Sequence, residues 1–191
     1  EERQLQSQLK ILFLDDHAGL RDGIGFLLSQ KNENLSFLYA TNREEGEKIL
    51  RENSEISLAI IDLNLEDESK DGLSALKAFR KIKSDLKAII FTMYADPIHI
   101  EQALKSGVQG YITKNAEIEE LENAILTVAS GKTCFNSAAC RIMQQMISPD
   151  SVLNEKFSYM DYKSLTKSEQ EVFSLLAQKK ETDEIAKMLG K

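Results

Sequence analysis

Between residues 10 and 130, short apolar runs alternate five times with longer segments of helical period. That alternation restricts the chain to an α/β fold with a parallel sheet, because parallel strands need helical crossovers and are covered on both faces. The candidate strands are Lys10–Asp15, Leu35–Tyr39, Ser57–Asp62, Leu86–Thr92 and Gln109–Thr113. Leu20, Ile24, Leu27 and Leu28 form the stripe of a first helix, and Ile118, Leu121, Ile125 and Val128 that of a fifth. Asp96-Pro97 reads as an N-cap followed by proline at the first helical position, and Gly107 and Gly131 stand where helices stop. Residues 132–163 hold Pro149 and little periodicity outside Ala138–Ile147, so they read as a linker with one helix. Order resumes at Leu165: Thr166 and Glu169 are spaced as a capping box, Val172, Leu175 and Leu176 follow at helical spacing, and a short helix with Ile185, Met188 and Leu189 comes next.

Charge divides along the same lines. The net charge of −7 over 191 residues is concentrated in residues 1–131, which hold 15 basic and 23 acidic side chains; residues 164–191 balance. A neutral C-terminal segment is no electrostatic footprint for DNA, so a DNA-binding role has to rest on motif. No run approaches the roughly 20 apolar residues of a bilayer span, and Glu1-Glu2-Arg3-Gln4 lacks the character of a secretion signal, so a cytoplasmic location is expected. Cys134 and Cys140 have no companions at metal-ligand spacing and read as packing residues.

In a doubly wound sheet, ligands bind beyond the carboxyl ends of the strands. Four of the five candidate strands end in reactive groups: Asp15 and Asp16 after the first, Asp62 on the third, Thr92 on the fourth, Lys114 after the fifth. Each alone could be a cap, a turn hydroxyl or a solvated charge. Together they describe one pocket. Three carboxylates in it would repel one another without a cation, and a hard oxygen site with open positions suits Mg²⁺.

The segments Leu14-Asp15-Asp16-His17, Ile60-Ile61-Asp62-Leu63-Asn64, Ile90-Phe91-Thr92-Met93-Tyr94 and Gly110-Tyr111-Ile112-Thr113-Lys114 resemble the successive signatures of receiver domains, particularly those of NarL/FixJ-type two-component response regulators. The resemblance covers residues 8–131 and implies a flavodoxin-like, doubly wound, five-stranded parallel sheet. It implies that Asp62 accepts a phosphoryl group from a sensor histidine kinase. Asp15, Asp16, Asp62 and the backbone carbonyl of Asn64 would hold Mg²⁺, Thr92 and Lys114 would bind phosphoryl oxygens, and Thr92 and Tyr111 would move as the switch. Tyr94, two residues past Thr92, is expected near the path of attacking water.

Two departures from the pattern stand out. The loop 65–72 is acidic and about two residues long for the family, and Asn115 follows Lys114 where many receivers have proline; a cis bond before a non-proline residue would cost roughly 3 kcal/mol. Residues 164–191 resemble the first part of a LuxR-type helix-turn-helix domain through Leu165-Thr166-Lys167-Ser168-Glu169-Gln170-Glu171-Val172 and Glu184-Ile185-Ala186-Lys187-Met188-Leu189-Gly190. Residues 181–189 match the supporting helix, and the sequence ends where the recognition helix would begin. The expectation is a regulator whose complete form binds DNA, as a homodimer when active, and not an enzyme. An aspartate-nucleophile phosphatase would need an acid at position 64, where Asn64 cannot donate a proton; a phosphorylation-independent interaction module is the other alternative.

Overall fold

The computed structural model describes residues 8–65 and 71–147. The chain divides into two units at residue 145, and the architecture below is that of the first. The C-terminal motif 164–191, the end of the expected linker and most of the acidic loop lie outside the described residues.

Five strands stand where the apolar runs place them: β1 (Leu9–Leu14), β2 (Leu35–Ala40), β3 (Leu58–Ile61), β4 (Lys87–Thr92) and β5 (Gly110–Thr113). They alternate with α1 (Ala18–Lys31), α2 (Arg43–Glu52), α3 (Gly72–Ile82), α4 (Pro97–Lys105) and α5 (Ile118–Ala129). Every pairing is parallel, in the order β2-β1-β3-β4-β5-β6. The sixth strand, β6 (Cys134–Phe135), corrects the expected count of five. These two residues fall in what reads as linker, but Cys134 and Phe135 pair with Gly110 and Tyr111. Two residues are too few to show any period in sequence. After them comes α6 (Ser137–Ile147), in the place expected for the linker helix.

Both faces of the sheet are buried, as continuous apolar strands require. Ile11, Phe13, Leu58, Ile60, Ile89, Phe91 and Ile112 meet Leu28 of α1 and Leu121, Ile125 and Val128 of α5 in one core. The alternate residues Leu12, Leu14, Ala59, Ile61 and Ile90 are equally buried and point to the opposite face, on the side of the mutually packed α2 and α3. The local signals hold at the helix ends. Asp96 accepts the N–H groups of Ile98 and His99, and Gly107 and Gly131 take φ of 67° and 89°, where a side chain would be strained.

Helix α1 departs from its sequence stripe. Leu28 is buried and Ile24 packs against the core, but Leu20 and Leu27 are 45% and 53% exposed, and Arg21 and Gly25 are buried in their stead. The reason is Tyr39 on β2. Arg21 lies over its ring, 5.3 Å from the centroid, and Gly25 lets the phenol approach so closely that a Cβ there would fall 2.2 Å from the hydroxyl. Cys134 packs against the core as expected; Cys140 is exposed, contrary to the packing role read for it.

Two glycines of α1 therefore separate. Gly23→Ala meets no atom within 4 Å and is expected to raise stability by about 0.5–1 kcal/mol through helix propensity. Gly25→Ala, two residues on, is expected to lower it by about 1–3 kcal/mol through overpacking. Urea unfolding of both variants checks the opposite signs.

Candidate functional site

The sheet order turns back on itself between β1 and β3, which leaves a crevice at their carboxyl ends. Backbone bonds continuing the ladder fix the residues just past the strands. Asp62 N–H donates to Leu14 O at 2.9 Å, Asp15 N–H to Ala40 O at 3.1 Å, and Lys114 N–H to Thr92 O at 2.8 Å. The positions of Asp15, Asp62 and Lys114 thus follow from strand register, and each side chain is aimed from a rigid edge.

Their side chains converge. The Lys114 ammonium stands 2.7 Å from Asp15 Oδ2 and 2.6 Å from Asp62 Oδ2, with all three side chains at least 95% buried. Burial disfavours the ammonium, but its hydrogen bonds to Asp15 and Asp62 outweigh that and hold its pKa above the ordinary 10.5. Asp15, Asp16, His17 and Asp62 present ligand atoms that all lie within 4.8 Å of one another. A cluster of three carboxylates, Asp15 and Asp62 buried and Asp16 partly so, with exposed His17 beside them, fits a hard divalent cation such as Mg²⁺. Asn64 N–H donates to Asp62 Oδ1 at 3.3 Å, so the loop after β3 folds back onto the carboxylate. Thr92 is fully buried at the end of β4, its Oγ1 3.5 Å from the Tyr94 N–H.

Asp15, Asp16, Asp62, Asn64, Thr92 and Lys114 lie at this edge, with Tyr111 on β5 and Tyr94 after β4 beside them. Tyr111 is fully buried, its hydroxyl donating to Tyr94 O at 2.9 Å. Burial raises its pKa, and the Asp96 and Asp62 carboxylates raise it further. The Tyr111 side chain thus lies inward in this structure. Tyr94 itself stacks on His99.

Several contributors escaped the sequence reading. His17 donates its N–H to Asp15 Oδ1 at 2.9 Å, and its Nδ1 lies 2.8 Å from Asp16 Oδ1. It follows Asp16 in the first signature, but only the fold shows its contacts. Gly72 opens α3 directly under the site: a Cβ would fall 2.0 Å from the carbonyl of Asp62. Asn136 donates its N–H to Tyr111 O at 3.1 Å and its amide to Thr113 Oγ1 at 2.8 Å, while its side-chain oxygen accepts the Ala139 N–H at the start of α6. This last residue ties the supposed linker to the strand that carries Tyr111. The sequence signal, Asn136-Ser137 before a helix, was a cap; nothing local marked its partner. The bond between Lys114 and Asn115 is trans, there being no cis peptide among the described residues.

Residues 11–126 match the family model described as "Response regulator receiver domain". The chain belongs to this receiver family. Relatives extend the likeness past the receiver. The oxygen regulatory protein NreC of Staphylococcus epidermidis is 31% identical over 95% of this chain and 83% of its own length. The nitrate/nitrite response regulator protein NarL of Escherichia coli is 28% identical over 91% and 77%. A receiver domain protein of Clostridium thermocellum superposes with a TM-score of 0.58 at 28% identity, over 64% of this chain and 95% of that one. The response regulator RcsB in a complex with DNA shares the fold at a TM-score of 0.65 and 22% identity, over 96% and 84%. This chain is thus a response regulator of the LuxR-type kind. Among the described residues no helix is long and apolar enough to cross a membrane.

The receiver's lysine gives a pH test. A lysine pKa raised by folding stabilises the native state fully below 10.5, and that contribution is lost as pH rises through the folded value. Lys114→Met is expected to flatten the alkaline fall in stability above that pH. It also leaves Asp15 and Asp62 without their shared cation, so Mg²⁺ is expected to raise the melting temperature of the variant more than that of the wild type. Thermal scans with and without Mg²⁺ read both effects.

Proposed function

We propose that this response regulator accepts a phosphoryl group on Asp62 from the phosphohistidine of a sensor histidine kinase, and that this controls DNA binding. The supporting observation is the buried Lys114 ammonium, within 2.7 Å of both Asp15 and Asp62 at the carboxyl edge. Phosphoryl transfer depends mainly on positioning and charge neutralisation, and this edge supplies both.

A carboxylate oxygen of Asp62 forms the new bond to phosphorus while the phosphorus–nitrogen bond of the donor breaks, its electron pair leaving with the imidazole. Lys114 balances the charge gathering on the phosphoryl oxygens, and the Thr92 hydroxyl donates to one of them. Asp15, Asp16, Asp62 and the carbonyl of Asn64 would hold Mg²⁺. When bound, the ion supplies further neutralisation of phosphoryl charge. His17 holds Asp15 in place through its N–H bond to Oδ1. Once Asp62 carries the phosphoryl group, Thr92 shifts toward it and favours inward Tyr111, as a two-state population change of a few kcal/mol.

Output through DNA is supported by the NreC likeness, which covers 95% of the chain and so runs beyond the receiver. The RcsB structure with DNA, similar in fold over nearly the same span, supports it too. Pairs of RcsB subunits are described on DNA, which favours an active homodimer here.

With Mg²⁺ and acetyl phosphate the protein is expected to gain one acid-stable, base-labile phosphoryl group, and Asp62→Asn none. Intact-mass measurement decides it, and undiminished labelling of the variant would overturn the assignment. Phosphorylation is expected to tighten promoter binding by the protein about 5- to 150-fold, the ordinary range of a coupling free energy. A titration at fixed, stated salt tests this.

A further inference from the structure

Three restraints converge on Tyr94, just past Thr92. Its ring lies face to face on His99 of α4, with centroids 4.0 Å apart and planes 3° from parallel. Its carbonyl accepts the hydroxyl of buried Tyr111 at 2.9 Å. Its N–H points at Thr92 Oγ1, 3.5 Å away. His99 is itself fixed, since its Nδ1 lies 2.6 Å from Asp96 Oδ2 while the other Asp96 oxygen caps α4 by accepting the N–H groups of Ile98 and His99 at 3.1 Å each.

We propose that His99 is a positioning residue of the switch: anchored on Asp96 at the start of α4, it clamps the Tyr94 ring and so holds the carbonyl on which Tyr111 rests. The clamp rests on the reading of Tyr111 as a switch residue, and it deepens that reading by naming what sets the poise of the switch.

An exposed aromatic stack alone would be ordinary surface packing. Here the ring belongs to a residue that is 36% exposed and sits in no regular element, so little else orders its backbone. The carbonyl of Tyr94 is also the only acceptor recorded for the Tyr111 hydroxyl among the described residues. A buried phenol pays for a lost partner, so moving the acceptor shifts Tyr111. His99 is well suited to hold it: Asp96 is fixed by two backbone donors, and those bonds with the His99 contact keep its carboxyl below the usual range although burial opposes this. The charged form that grips the imidazole is thereby favoured.

Reciprocity then links the clamp to the acidic pocket. A clamp that favours inward Tyr111 also favours the phosphoryl-bearing state, so its loss weakens binding of a phosphoryl mimic. A parallel stack is worth enough to shift such an equilibrium roughly three- to tenfold.

The test uses His99→Ala and His99→Phe, the latter keeping a flat ring for Tyr94 but losing the bond to Asp96. The full chain is labelled with 3-fluorotyrosine, and the Tyr111 fluorine resonance is assigned by its disappearance in Tyr111→Phe. In His99→Ala the resonance is expected to move toward the solvent-exposed position, and beryllofluoride with Mg²⁺ to bind three- to tenfold more weakly. His99→Phe, which keeps the ring but loses its anchor on Asp96, is expected to restore both in part. An unmoved Tyr111 resonance in His99→Ala overturns the clamp, and full restoration by His99→Phe overturns its anchoring on Asp96. A wild type that takes up no beryllofluoride counts against Asp62 as phosphoacceptor instead, because the fluorine resonance reports on the clamp without it.

Discussion

Mutual repulsion among Asp15, Asp16 and Asp62 is the constraint around which this domain is arranged. Carboxylates brought within a few ångströms of one another in a buried crevice cannot all stay ionised without a positive partner. The fold provides one in Lys114, carried from beyond β5, two strands away from Asp62 just past β3. That bridge spans 52 residues of sequence and ties three strand ends into one polar unit. The pocket is consequently held together by the interaction that a phosphoryl group would reorganise.

Everything around the unit is stiff, and this stiffness makes a local charge change legible elsewhere. Strand register fixes Asp15, Asp62 and Lys114 through their backbones, and apolar cores on both faces of the sheet resist gradual deformation. Two connections run outward from β4 and β5. One goes from Tyr111 through Tyr94 to His99 and Asp96 on α4; the other goes from Tyr111 and Thr113 through Asn136 into α6. Both leave from residues on or beside the strand that precedes Lys114. A shift of that strand end would therefore be felt on the α4 surface and at the start of α6.

The placement of α1 illustrates how a rule of helical spacing can identify an element and misjudge its face. Leu20, Ile24, Leu27 and Leu28 correctly signal a helix, since apolar residues three and four apart recur there. The side chain that decides the rotation is Tyr39, from another strand, which stacks beneath Arg21 and needs the space at Gly25. Arg21 also donates to the carbonyl of Asp15 at 3.1 Å, so its burial serves the edge where the carboxylates sit.

The sequence alone determined the five principal strands, the helix ends at Asp96, Gly107 and Gly131, and the placing of Asp15, Asp62, Thr92 and Lys114 at one edge of the sheet. Each of these is written in local pattern: an apolar run, a cap, a polar residue one step past a strand. Tertiary structure decided what depends on partners distant in the chain. It showed Lys114 as the bridge between two carboxylates, Tyr111 buried with its hydroxyl on the Tyr94 carbonyl, Tyr94 stacked on His99, and Cys134 and Phe135 added as a sixth strand. The physical reason is that a hydrogen bond or stack takes its geometry from both partners, and no periodicity in one segment encodes where the other will lie.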